Sequence, residues 1–196
     1  MAPGIVVRLF ANPWPESVPT ERLTQILETV ARHRAEDLEE RAASGEYAHA
    51  MISIAILDPT APLTRPTDEA LLAVIEIGEG AANATPNALG KACAHRDHGV
   101  DFGTLLMAQR HRIADGEFRR GLSSDVNGTI TGASGLTGIQ DQFQAGVAAA
   151  ELNYGVGAAR IEWEETNSFR WSTSDGQPSE RYRALAHRDA LVTVEL

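Results

Sequence analysis

The sequence predicts an α+β fold built from helices and antiparallel β-hairpins, with further strands near the N- and C-terminal ends. Its 196 residues suit one compact domain, and 43% are hydrophobic, as in globular proteins. Apolar runs at 50–58 and 69–77 predict two strands, which form a hairpin if the proline-rich segment between them turns back. A second hairpin is predicted at Asn127-Gly128, a dipeptide typical of two-residue β-turns.

The first third of the chain adds a strand and a long helix. The β-branched run at 4–11 predicts a first strand that ends in a proline-rich turn. Thr20, which follows Pro19, can cap a helix that Gly45 ends. His33 is expected at the surface edge of this helix rather than as a ligand. The apolar stripe of the helix consists of Leu23, Ile26, Leu27, Val30 and Leu38.

The remaining elements are predicted from shorter signals. The segment 78–99 contains a helix, with Thr85 as its N-cap and Pro86 in the first helical position. A second helical stretch covers 100–116. After the Asn127-Gly128 hairpin comes a helix of small residues at 138–155. The final predicted strands lie at 157–166, 168–173 and 191–196.

Composition excludes several classes of function. The formal net charge is −10, and no more than three basic residues lie together, so we expect no nucleic-acid partner. The single cysteine, Cys93, cannot form an intramolecular disulfide. No run approaches the roughly 20 apolar residues of a membrane span, and the N-terminal apolar run is too short for a secretory signal. We therefore expect a cytoplasmic protein without a membrane partner.

A glycine motif, TGASGLTG at 131–138, has the spacing of a dinucleotide-binding turn. Too little chain follows it for the further βα units of that fold, and the preceding hairpin is antiparallel, so no NAD(P) is expected. Gly132 and Gly135 still allow positive φ and close backbone approach, and the following helix N-terminus attracts a carboxylate or phosphate. Thr137 and Asp141 could instead be capping residues only.

The order of elements and this motif resemble the GlcG/HbpS-like proteins, which are related to the C-terminal region of PduO-type proteins. That family typically has GVSGGTPEQD before an alanine-rich helix, and a Lys-Ala pair in the middle helix. The resemblance covers about residues 20–154 of a single domain spanning 1–196, with 155–196 as an extension. It implies a profilin-like single antiparallel sheet flanked by helices, often in a homo-oligomer. The matching residues are Lys91, Ala92, Gly132, Ser134, Gly135, Thr137, Gln140 and Asp141.

Titratable side chains are concentrated in CAHRDH, residues 93–98. His95 and His98 are three apart and share a helical face, which suits a base and its partner. No metal site is predicted, because a third ligand is missing. The alternative is a solvated helix end whose His and Arg side chains interact with the negative end of the helix dipole.

Three functions stay open at this point. The first is a small-molecule-metabolising enzyme of lyase or isomerase type, with His95, Asp97 and His98 as acid–base groups. Its predicted ligand-binding residues are Lys91, Arg96, Ser134, Gly135, Thr137, Gln140 and Asp141. The alternative is a haem- or corrinoid-binding protein, since the family includes such members and the six histidines offer axial ligands.

The third possibility is a structural or regulatory oligomer without a small ligand. Strands added at the chain ends either cover sheet edges or pair with another subunit. We expect a symmetric homo-oligomer, with Trp163, Phe169 and Trp171 at or near the contact.

Overall fold

A computed structural model describes residues 4–112 and 122–167 of the chain. It confirms the α+β class: one open five-stranded antiparallel sheet, in the order β1-β3-β2-β5-β4, is covered by helices. The elements are β1 (Ile5–Leu9), α1 (Thr20–Ala43), β2 (Ile52–Leu57), β3 (Leu71–Ile77), α2 (Ala81–His98), α3 (Phe102–Ala108), β4 (Ser123–Val126), β5 (Thr129–Ser134) and α4 (Gly138–Thr166).

Both predicted hairpins are confirmed. Strands β2 and β3 pair antiparallel, with Ile54 opposite Ile75, and the proline-rich segment between them contains a 3₁₀ turn at Thr67–Ala70. Strands β4 and β5 are joined by Asn127 and Gly128, whose φ angles are +52° and +83°. Positive φ at both positions is the conformation of a type I′ turn, which matches the twist of the strands.

The two faces of the sheet differ in polarity. One face packs on α1 and α4 and forms the main hydrophobic core. The other face carries small and polar side chains and contacts α2, which lies very close to β5. A Cβ atom at Gly132 would be 2.2 Å from the carbonyl oxygen of Ala88, so the close approach expected here is confirmed. The sheet residues of the main core are Ile52, Ile54, Ile56, Leu72, Ala73, Ile75, Ile77 and Ala133.

The predicted start of α2 is wrong. The helix begins at Ala81, after Gly80 with a φ of +82°, so Pro86 lies inside the helix. Thr85 therefore caps nothing. Its hydroxyl instead donates to Glu76 Oε1 at 2.6 Å and lies 2.8 Å from Ser53 Oγ. The helix starts earlier than predicted because a left-handed glycine can begin it without a side-chain cap.

The strand predicted at 157–166 is also wrong, because these residues continue α4 to Thr166. The segment is rich in Ala, Arg and Glu, which favour a helix once the preceding turn is formed. Ala159 on this segment is buried in the main core. The predicted strands at 168–173 and 191–196 lie outside the described residues. The helix predicted at 100–116 appears as α3 and a 3₁₀ turn at Arg110–Arg112, and residues 113–121 are not described.

The chain divides into two compact units, Met1–Trp163 and Glu164–Leu196. The sheet and its packed helices belong to the first unit, and only residues 164–167 of the second are described. Across the described ranges, no helix is both long enough and apolar enough to cross a membrane.

Candidate functional site

Lys91 and Asp141, both predicted to bind a ligand, form a buried ion pair with each other. Lys91 Nζ donates to Asp141 Oδ2 at 2.7 Å and to the carbonyl oxygen of Ala133 at 2.5 Å. The two side chains are only 3% and 4% exposed. Burial raises the pKa of Asp141, while the Lys91 ammonium and the Leu136 N–H oppose that shift. The pair thus joins α2 to the end of β5 and the first turn of α4.

The glycine motif folds into a tight turn whose N–H donors contact the turn's own side chains. Gly135 has a φ of +145°, and a Cβ atom there would lie 2.6 Å from the carbonyl oxygen of Met51. Asp141 Oδ1 accepts from the Leu136 N–H at 2.9 Å, and Gln140 Oε1 accepts from the Thr137 N–H at 3.2 Å. Asp141 is therefore a capping residue, whereas the second capping side chain is that of Gln140 rather than Thr137, and fewer donors are left for an anion.

Gln140 and Ser134, two of the predicted ligand-binding residues, lie beside this turn. Gln140 Nε2 also donates to the carbonyl oxygen of Glu46 at 3.1 Å, which ties α4 to the loop after α1. Ser134 ends β5 opposite Ser53 and is half-buried.

The predicted catalytic residues of α2 occupy separate environments. His95 is buried, with Nδ1 2.9 Å from Ser123 Oγ on β4. Burial lowers the pKa of His95, against the opposing influence of Asp125 and Asp101. Asp97 is exposed and accepts from Thr67 Oγ1 at 2.5 Å. Residues two apart on a helix project to different sides, so His95 and Asp97 do not converge.

Arg96 binds backbone carbonyl groups through its side chain, whereas His98 is contacted at its own carbonyl group. Arg96 is buried and donates to the carbonyl oxygens of Pro62 at 2.7 Å and Arg65 at 2.9 Å. It therefore holds the proline-rich loop against α2. The carbonyl oxygen of His98, the last residue of α2, accepts from Arg112 at 2.8 Å.

Glu76 on β3 lies in a buried polar cluster. Its Oε1 accepts from Arg8 at 2.5 Å and from Thr85 at 2.6 Å. A carboxylate only accepts, so Thr85 donates to Glu76 and Ser53 donates to Thr85. The cluster borders a cavity of about 310 Å³ beside the start of α2, which Glu79 also lines.

A groove of about 730 Å³ lies between α1 and α4 and is here called the α1–α4 groove. Its apolar lining includes Ile26, Val30 and Ala158. Gly155 keeps the two helices close, because a Cβ atom there would lie 2.6 Å from Ile26. The polar lining residues are Arg22, Gln25, Glu28, Thr29, Arg32, His33, Glu151 and Tyr154.

A small charge network lies at one side of the α1–α4 groove. His33, about half-exposed, places Nδ1 3.6 Å from Glu151 Oε1, and Arg34 donates to the same oxygen at 3.0 Å. Within the described ranges, Arg34 Nε and Glu151 Oε2 are buried without a hydrogen-bond partner. His33 lies at the helix edge as predicted, but its proximity to Glu151 was missed. No local signal could reveal it, because the two residues are far apart in sequence.

Among the described residues, no group of three or more His, Cys, Asp or Glu side chains could hold a metal ion. Comparison of the chain with models of protein families, with curated proteins and with solved structures found no match.

Proposed function

We propose that this protein binds a small amphiphilic molecule in the α1–α4 groove, and that the ligand is a haem or a related tetrapyrrole. The observation that carries the proposal is a largely apolar groove of about 730 Å³ with a half-exposed imidazole at its side. Ligand sites are typically apolar concavities of about 300–1,000 Å³ with a few polar groups that set orientation.

His33 would bind the iron of such a ligand. Its Nδ1 faces Glu151, so the ring leaves Nε2 for a metal centre. Glu151 is in turn fixed by Arg34 at 3.0 Å. The 3.6 Å separation of Nδ1 from Oε1 is too long for a hydrogen bond, so the two groups would have to move closer when the ligand binds. A carboxylate that accepts from a ligating histidine fixes the ring orientation and raises the basicity of the ligand. A bound haem would supply an iron centre whose reactivity depends on its axial ligand and on the polarity of its surroundings.

The groove also offers cations for the carboxylates that such a ligand carries. Arg22 and Arg32 both line it, and guanidinium groups form strong, charge-assisted hydrogen bonds with carboxylates. Arg32 donates to Thr29 Oγ1 at 3.0 Å, and Arg22 lies 3.4 Å from Glu162. Both contacts are exposed, so they exchange for a ligand carboxylate at small cost.

The resemblance to GlcG/HbpS-like proteins supports the same class of ligand, because that family includes haem-binding and corrinoid-associated members. We accordingly propose that the chain is a member of this family with a profilin-like topology, and that it acts in the cytoplasm as a homo-oligomer. The matching residues Lys91 and Asp141 have a structural role in this proposal, since they neutralise each other in the interior.

Titration with haemin, followed by visible absorption, tests the site. We expect a shifted Soret band that saturates at one haemin per chain, and at least tenfold weaker binding in His33→Ala, which corresponds to about 1.4 kcal/mol. Glu151→Gln should weaken binding by about 10- to 100-fold, as expected for a partner of a ligating histidine. His111→Ala is the control, because His111 is exposed and does not line the groove. An equal shift in His33→Ala and the unsubstituted protein would contradict the proposal.

A second candidate is the acid–base enzyme of lyase or isomerase type, favoured by one observation. Burial lowers the pKa of His95, so its imidazole is neutral near pH 7 and can accept a proton. Its support is weaker, because Lys91 and Arg96 already bind groups of the protein itself. A thermal-shift screen with small carboxylates and phosphates tests it. This candidate requires an anion that stabilises the unsubstituted protein but not His95→Ala. If the screen finds none, the candidate is contradicted.

A further inference from the structure

The two outer strands of the sheet are protected to different degrees. Strand β4 is short and polar, and its carbonyl oxygens at Ser123 and Val126 accept from the amides of Gln142 and Asn153 on α4. Strand β1 at the other edge is apolar. Ile5 and Val6 are 38% and 49% exposed. Exposed apolar edges pair readily with other strands, and proteins usually block them.

The pairing of β1 with β3 shows which backbone groups of β1 have no strand partner among the described residues. Gly78 N–H donates to the Gly4 oxygen at 2.9 Å, and Phe10 N–H donates to the Leu72 oxygen at 2.8 Å. Hydrogen-bonded pairs alternate along antiparallel strands. Since residues 4 and 10 face β3, residues 6 and 8 do so as well. The N–H and C=O groups of Ile5, Val7 and Leu9 therefore point away from β3, toward the open edge.

We propose that β1 of a second copy of this chain pairs with β1 across a twofold axis at Val7, joining the two sheets into one. In this register Val7 lies opposite its own equivalent, and Ile5 lies opposite Leu9 of the partner subunit. The twofold axis also places Leu9 opposite Ile5 of the partner subunit. In each of these three pairs the two residues exchange two backbone hydrogen bonds. The outward groups of β1 are thus complementary to themselves, as an interface on a twofold axis requires.

The charges of β1 agree with pairing between identical strands. Arg8 is the only charged residue between Ile5 and Leu9. It lies opposite Val6 of the partner subunit, so the two Arg8 side chains do not face each other. Like charges directly opposite would destabilise the pairing. Arg8 also contacts the buried Glu76 of its own chain, which neutralises it at the edge.

Val7→Pro tests the pairing with little change to the subunit. Proline at this position removes an outward N–H and places its ring where the second strand would lie, while its φ suits an edge strand. Val7→Ala is the control, because it shortens the same side chain and keeps the N–H. Sedimentation should give twice the 21.1-kDa chain mass for the unsubstituted protein and Val7→Ala, and a single chain mass for Val7→Pro. Circular dichroism confirms that each variant is folded.

Hydrogen exchange at residues 5, 7 and 9 gives a second measurement that does not depend on a variant. Protection of these amides should increase with protein concentration, because it requires a second chain. A monomer at micromolar concentration would overturn the proposal, and so would a folded Val7→Pro that remains a dimer. Protection that is independent of concentration would also overturn it, since another segment of the same chain would then cover the edge.

Discussion

Lys91 and Asp141 illustrate what a residue pattern can and cannot predict. The family resemblance singles out both positions and predicts a ligand as their partner. The structure pairs them with each other at 2.7 Å in the interior. Sequence does not reveal this, because the pairing depends on the close approach of α2 to β5. Removing one partner of a buried ion pair is costly, because the remaining charge is neither paired nor hydrated.

Replacing Lys91 by Met tests this structural role. We expect a loss of about 3–5 kcal/mol in the free energy of unfolding, because Asp141 is left buried without its cation. The double variant Lys91→Met with Asp141→Asn should recover part of that loss. Glu162→Gln, at an exposed ion pair, is the matched control and should cost less than about 1 kcal/mol. Chemical denaturation measures all three, and equal losses at the two sites would contradict the assignment.

His95 should make stability depend on pH. Its pKa in the folded protein lies below its usual value near 6.5, because burial disfavours the charged ring. The unfolded chain then binds more protons below about pH 6.5, so the free energy of unfolding falls as the pH drops from there toward the folded pKa. Denaturation from about pH 7 to about pH 5 should show a smaller fall in His95→Gln. An identical fall in both proteins would show that other groups cause it.

At the scale of elements, the sequence predicted the helices and hairpins that depend on neighbouring residues in the chain. The Asn127-Gly128 turn, the hairpin of β2 with β3, and α1 all follow from short-range periodicity and turn residues. The prediction failed where a helix boundary depends on its neighbours. Whether 157–166 forms a strand or a helix depends on the continuation of α4 along the core, which contains Ala159.

Two glycines in different elements should respond in opposite directions to the same substitution. Gly132→Ala places a methyl group 2.2 Å from the Ala88 oxygen, so α2 must move away from β5, at a cost of about 1–3 kcal/mol or more. Gly157→Ala on α4 meets nothing within 4 Å and should stabilise the helix by about 0.5–1 kcal/mol. Thermal unfolding of the two variants checks this. An unchanged unfolding temperature in Gly132→Ala would show that α2 moves away from β5 without loss of stability.

At the scale of the whole molecule, the groove and the open edge are products of topology. His33 and Glu151 meet because α1 and α4 cover the same face of the sheet, and no motif in the sequence brings them together. The N-terminal strand was predicted, but its position at the outer edge depends on the strand order β1-β3-β2-β5-β4. Neither the proposed ligand site nor the proposed assembly surface could therefore be located from sequence alone.

The same topology predicts that a chain ending at residue 167 folds. Among the described residues, the members of the main apolar core lie between Val18 and Ala159, so the truncation removes none of these members. We expect a helix-rich circular dichroism spectrum and a single cooperative unfolding transition. An aggregated or partly folded product would show that residues 168–196 are needed for the core.

Sedimentation of the truncated chain then distinguishes two modes of assembly. Pairing through β1 survives the truncation, whereas a contact built on Phe169 and Trp171 is lost with it.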